Sequence, residues 1–277
     1  MSDVSDPAVT RRDALAAGGA TTVLGFGFWT EAFAADGAGA GGTVLITGAS
    51  RGIGFEFAKQ YAQAGWTVIA TARNPATAEP LKALAKAHKN IRIEALDVTD
   101  VKAVDALAEK LKGTAIDVLI NNAGISGGAQ NQKVGTIKYE VFDDVMRTNV
   151  MGPIKIAEAF TPHVAASTQK KIVSISSTEG SLTGISGRPD VNSIFYRASK
   201  SALNMAMINM AKALKDKGII VVMLSPGLVQ TDFVGDLRLP IMISPEQSVA
   251  MTMPIIARVT MADTGKYFRH TGELAAW

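Results

Sequence analysis

The chain has 277 residues, 47% of them apolar, a formal net charge of +3 and no cysteine. That length allows one sizeable core and at most two domains. Scattered Lys and Arg argue against a nucleic-acid groove, the missing cysteine excludes disulfides and thiol chemistry, and His88, His163 and His270 lie far apart and lack zinc-ligand spacing.

In chain order, the first 42 residues differ from the rest. Paired Arg11 and Arg12 precede an apolar, Gly/Ala-rich run from Ala14 to Trp29, and an A-x-A triplet ends at Ala34. Residues 1–34 resemble a twin-arginine export signal cut after Ala34. The alternative is a disordered or amphipathic arm. The run is shorter than a membrane span of about 20 residues, so no stable span is expected after cleavage. Export to the periplasm is expected if the signal functions, and a cytoplasmic location if it does not. Residues 35–42 read as a flexible, glycine-rich lead-in.

From Thr43 onward, short apolar runs alternate with helical segments. Strands are predicted at 43–47, 66–72, 91–98, 117–124, 170–177, 219–227 and 265–270. Helices are predicted at 52–65, 77–88, 100–113, 139–164, 194–217 and 245–258. Gly65 and Gly218 act as stops, and Pro153 should kink the fourth helix. The strands are continuous rather than alternating apolar runs. That pattern predicts a mostly parallel, seven-stranded sheet with helices on both faces, an α/β doubly wound (Rossmann) fold in a single domain from 43 to 277.

The first strand runs into TGASRGIG, residues 47–54. Gly48, Gly52 and Gly54, with Ser50, Arg51 and Ile53, form a turn where a pyrophosphate can approach backbone amides and a helix N-terminus. The spacing is G-x-x-x-G-x-G, not G-x-G-x-x-G. NAD binding normally places a carboxylate about 20 residues on. Here Ala72 and Arg73 stand there, and Arg51 lies in the turn. Two guanidiniums and no carboxylate favour NADP(H). Asp97 and Val98 are placed to meet the adenine, and Asn122, Ala123 and Gly124 of NNAG the ribose.

YRASK, residues 196–200, puts Tyr196 and Lys200 on one face of a helix. A free phenol has a pKa of about 10. A neighbouring ammonium should lower that by about 1–3 units. TGASRGIG, NNAG, Asn149 in MRTNVMGP, Ser177 in SISSTEG, YRASK and SPGLVQT occur in the order of the short-chain dehydrogenase/reductase family, which residues 43–277 resemble. GKYFRHTGELAAW and YRASKSALN resemble its sniffer-like and C-factor-like carbonyl-reductase branch.

The resemblance implies roles. Tyr196 would be the general acid/base. Lys200 would make it more acidic and hold the nicotinamide ribose, Ser177 would hold the substrate oxygen, and Asn149 would anchor a water relaying protons to Lys200. Ser176 is the rival serine, and Asn149 has the alternative of a buried structural amide. Pro226 and Gly227 should turn the chain so that Val229 and Thr231 reach the nicotinamide amide. Residues 232–242 read as a mobile apolar lid. Ser177 precedes Tyr196 by 19 residues, more than is common in the family, so the intervening loop should shape substrate entry. The expected activity is reversible NADPH-dependent reduction of small aldehydes or ketones, by a dimer or tetramer built on the helices carrying Asn149 and Tyr196. The alternative is an NADP-binding signalling or sensor protein with little turnover.

Overall fold

A computed structural model describes residues 41–185, 193–235 and 239–277. The signal assigned to 1–34, most of the lead-in, part of the loop before Tyr196 and the centre of the lid lie outside them. Gly41 and Gly42 pack against the domain: the Thr67 amide donates to the Gly42 carbonyl at 3.0 Å, and a Cβ on Gly41 would meet the Gly65 carbonyl oxygen at 2.0 Å.

Seven strands form one sheet: β1 (Thr43–Ile46), β2 (Thr67–Ala72), β3 (Ile91–Ala95), β4 (Val118–Asn121), β5 (Lys171–Ile175), β6 (Ile220–Ser225) and β7 (Tyr267–Arg269). Their order is β3-β2-β1-β4-β5-β6-β7, and every pairing is parallel. The mostly parallel sheet expected is thus parallel throughout. β4, β5 and β6 are buried at every position, as continuous apolar runs covered on both faces require. β3, at one edge, is buried only at Ile91 and Glu94. It also stops at Ala95 rather than Val98, because the Asp97 carboxylate accepts from the Thr99 amide at 2.9 Å and turns the chain. Strand order reverses between β1 and β4, which opens a crevice at their carboxyl ends.

The helices are α1 (Gly52–Gln63), α2 (Glu79–Ala87), α3 (Val101–Lys110), α4 (Tyr139–Met146), α5 (Gly152–Ala165), the short α6 (Leu182–Ile185), α7 (Ile194–Ala213) and α8 (Pro245–Arg258). Ile156, Phe160 and Val164 on α5 recur every fourth residue and are fully buried against the sheet. A fully buried side chain of this size contributes about 1.5–3 kcal/mol. The kink predicted at Pro153 takes another form. Residues Arg147–Met151 form a π turn between α4 and α5. Pro153 then occupies the first turn of α5. The wider turn accommodates a residue that has no N–H and would clash with a carbonyl four residues back. α7 ends at Ala213, not Lys217, and a 3-10 turn carries the chain to Gly218 at φ 68°.

Candidate active site

The glycine turn follows β1. A Cβ on Gly54 would lie 2.3 Å from the Gly48 carbonyl oxygen and 2.4 Å from Asn122 Nδ2, so α1 begins at a distance only glycine permits. Asn122 Nδ2 donates to the carbonyls of Thr47 (2.9 Å) and Gly48 (3.1 Å). These bonds tie the ends of β1 and β4 together and occupy the Thr47 and Gly48 carbonyls. No side chain caps the N-terminus of α1, leaving its first amides to an anion. Gly48, Asn122, Ala123 and Gly124 thus converge: a Cβ on Gly48 would sit 2.9 Å from the Ala123 Cα, and one on Gly124 3.8 Å from Lys200 Nζ.

Ser50 and Ile53 are half-buried in the same turn, Ala72 closes β2 buried, and Arg73 is exposed beyond it. Arg51 is 75% exposed and pairs with Asp232 at 3.6 Å. Asp97 is half-buried, with its carboxylate bonded to Thr99 through both the amide and the hydroxyl, at 2.9 and 2.7 Å. Val98 packs below, where a Cβ on Gly152 would approach it at 3.0 Å. Thr231 lies over the glycine turn, its Cγ2 3.4 Å from a Cβ on Gly52. Val229 is buried and bridges to Ile243. The Pro226 carbonyl accepts from Ser248 Oγ at 2.7 Å. Gly227, at φ 88°, lies beside His270, a neighbour not picked out in the sequence.

At the other end of the crevice Ser177 caps a 3-10 turn, Thr178–Gly180, accepting from the Glu179 amide at 3.2 Å. The same hydroxyl lies beside the Tyr196 phenol and favours its ionised form. Ser176 is excluded as its rival: it is buried beneath the site and donates to Asn204 Oδ1 at 2.6 Å. Lys200, 4% exposed, donates to the Ile175 carbonyl at 2.8 Å, and its Nζ stands 5.6 Å from the centre of the Tyr196 ring. The two groups adjoin as the i,i+4 spacing requires.

Their electrostatics differ from expectation. Burial pushes the Tyr196 phenol up to about 12; the neighbouring Ser177 hydroxyl opposes this and the Glu179 carboxylate adds to it. Burial also pushes the Lys200 amine down to about 8. Within the protein alone, desolvation therefore outweighs any acidifying effect of the ammonium on the phenol.

Asn149 sits at the centre of the π turn, fully buried. Its amide donates to the Ile125 carbonyl and Ser199 Oγ, at 2.8 and 2.9 Å, and its Oδ1 accepts from the Ile125 amide at 2.8 Å. It thus fixes the chain beyond NNAG and makes no direct bond to Lys200. Phe233, from the segment expected to supply apolar contacts, lies edge-on against Tyr196 with ring centroids 5.2 Å apart, a pairing the sequence did not specify. Among the described residues no cluster of metal-ligating side chains occurs, and no helix is long and apolar enough to cross a membrane.

Comparison with known proteins agrees with this geometry. A family model described as short chain dehydrogenase matches residues 42–240. An uncharacterised oxidoreductase of Schizosaccharomyces pombe is 35% identical over 251 residues, 84% of this chain and 97% of that one. The NADPH-bound carbonyl reductase from chicken fatty liver is 32% identical, with a TM-score of 0.79 over 86% of this chain and 100% of that one. The carbonyl reductase Sniffer of D. melanogaster is 29% identical, with a TM-score of 0.75 over 85% and 99% of the two chains. The chain is an oxidoreductase-type member of the short-chain dehydrogenase/reductase family, similar to its Sniffer-like carbonyl reductases.

Proposed function

We propose that the protein is an NADPH-dependent reductase of aldehydes or ketones. The observation that carries this reading is the Ser177 hydroxyl beside the Tyr196 phenol with Lys200 Nζ 5.6 Å from the same ring, at the mouth of a crevice that opens on the glycine turn.

The residues present fit a phosphorylated dinucleotide. The uncapped start of α1 and the close-packed Gly48 and Gly54 suit a pyrophosphate. Arg51 and Arg73 suit a 2′-phosphate where no carboxylate stands. Lys200 suits the ribose hydroxyls beside the nicotinamide, and Val229 and Thr231 the carboxamide. Bound NADPH supplies the hydride that reaches the carbonyl carbon.

The chain's own residues handle the oxygen and its proton. Ser177 donates a hydrogen bond to the substrate oxygen and holds it beside Tyr196. With its pKa pushed up to about 12, the phenol carries its proton at neutral pH and gives it to the developing alkoxide. Lys200 then stabilises the phenolate, more strongly than it would across the same distance in water. In the reverse direction the same phenolate takes the proton of an alcohol. Asn149 holds the Ile125 backbone, next to Gly124, which lies beside Lys200, a position suited to a water that returns the proton. Phe233 adds an apolar wall over the Tyr196 ring. A homo-oligomer suits the exposed Met151 and Met205 on the helices that bear Asn149 and Tyr196.

The test uses NADPH carrying deuterium at nicotinamide C4, incubated with the protein and a panel of aldehydes and ketones. Deuterium on the carbinol carbon of at least one product supports the reading. NADPH that binds and stays intact with every substrate overturns it and favours a sensor.

A further inference from the structure

Two segments meet at the candidate site, the turn carrying Ser177 and the first turns of α7 carrying Tyr196. They are joined residue by residue. Ser177 meets Tyr196. Glu179 Oε2 accepts from Arg197 Nε at 2.8 Å, with side-chain exposures of 27% and 17%. Gly180 lies so close to the helix that a Cβ there would come within 2.7 Å of the Lys200 Cβ. Ser201 Oγ donates to the Gly180 carbonyl at 2.7 Å. The catalytic pairing is thus one rung of a ladder, and the charged rung lies next to it. A half-buried ion pair that survives partial desolvation fixes orientation more than it adds stability.

We propose that Glu179 and Arg197 are a positioning pair for proton transfer: their ion pair sets the Ser177 hydroxyl against the Tyr196 phenol, and the Glu179 carboxylate holds that phenol in its proton-bearing form. The proposal rests on the reductase reading. The Glu179 carboxylate bonds Arg197, the residue next to Tyr196, while the Glu179 amide donates to the Ser177 hydroxyl, so the charge stands beside the phenol. A carboxylate two residues from Ser177 repels a phenolate, so it favours the protonated donor that a reductase needs, and Arg197 moderates that repulsion. Glu179 accordingly pushes the phenol up, second to burial among the raising influences. The other groups facing Tyr196 are Lys200 from the same helix, Tyr267 from β7 and Phe233 from the lid. Phe233 is apolar, so among these described residues Glu179 is the one that brings a full negative charge beside the phenol.

The sign of the test is fixed. A general acid works while protonated, so the reduction rate falls as pH rises through its pKa. In Glu179→Gln the amide keeps a hydrogen bond to Arg197 but loses the charge, and the fall-off moves to lower pH by about half a unit or more. In Arg197→Gln the repulsion is less moderated, and the fall-off moves to higher pH. A merely structural pair would change rates equally at every pH.

The experiment measures pH–rate profiles of both variants with NADPH and an accepted carbonyl substrate. Alongside, phenolate absorbance is titrated with NADP+ present, as the difference between each protein and its Tyr196→Phe counterpart. Opposite displacement of the two variants, in profile and titration, supports the proposal. Midpoints of both variants that coincide with the parent overturn it. If Glu179→Gln does not fold, the upward displacement of Arg197→Gln decides alone. If the parent protein reduces no carbonyl, the reductase reading fails by itself, and the phenolate titration still decides whether Glu179 and Arg197 act on Tyr196.

Discussion

Phe233 covers the edge of the Tyr196 ring at a centroid distance of 5.2 Å and an interplanar angle of 61°. The contact comes from the segment after β6, which thus rests directly on the proposed proton donor. Phe233 is still 40% exposed, which leaves one face free for an apolar substrate. An aromatic edge contact of this kind is worth about 0.5–1.5 kcal/mol beyond its buried area. Phe233→Ala should therefore raise KM for a hydrophobic carbonyl by about three- to tenfold, with a smaller change in kcat. Steady-state kinetics separates the two, and a loss confined to kcat would assign Phe233 to the chemistry instead.

Arg51 and Asp232 are both largely exposed, at 75% and 79%, and 3.6 Å apart. An exposed pair stabilises the fold very little, so its interest is competition. A 2′-phosphate would draw the same guanidinium. Asp232→Asn should tighten NADPH binding by up to about fivefold and leave NADH unchanged. Arg51→Ala should weaken NADPH selectively. Titration calorimetry with both nucleotides at low and high salt checks this, since screening should shrink both effects.

Asn149 offers a stability prediction. Asn149→Leu removes three hydrogen bonds and leaves the Ile125 amide and carbonyl without their partner. A buried unsatisfied backbone group costs about 1–3 kcal/mol, so urea unfolding should show a loss of about 2–5 kcal/mol. Ser199→Ala removes a single contact and should lose far less. Equal losses would mean that the π turn, not the Ile125 anchor, governs stability there.

Lys200 makes stability depend on pH. Its folded-state pKa lies near 8, below the unfolded value of 10.5. Between these values the unfolded chain binds more protons, so stability rises with pH across that window and is lowest where both states are charged. The Tyr196 window, from 10.0 to about 12, lies almost wholly above it and has the opposite sign. Lys200→Met should abolish turnover yet gain about 1–2 kcal/mol at pH 7, after the lost bond to Ile175 is deducted. The gain should vanish near pH 10.5. Chemical unfolding at pH 7 and at about pH 10 measures it.

What the sequence shows and what it hides divide along physical lines. The i,i+4 placement of Tyr196 and Lys200 is a property of any helix, and the glycine turn follows from its position between a strand and a helix, so both could be read directly. Continuous apolar runs likewise disclose the central strands, whereas edge strand β3 ended early because a side chain, Asp97, turned it. Glu179 and Arg197 are separated by 18 residues, and they meet only because Gly180 lets a turn lie against α7. The π turn around Asn149 arises from a compromise between Pro153 and the packing of α5, which local periodicity does not encode. The burial that raises the phenol and lowers the amine is a property of the assembled site, so the sequence suggested the acidifying ammonium but not the desolvation that outweighs it.

The central claim is that Tyr196 is the proton donor of a carbonyl reduction. Single-turnover oxidation of bound NADPH by an accepted aldehyde or ketone, compared between the parent protein and Tyr196→Phe, tests it most directly. The account predicts a fall of about 10²–10⁴-fold in the variant, with NADPH affinity unchanged. Equal rates in the two proteins, with NADPH bound in both, would contradict it.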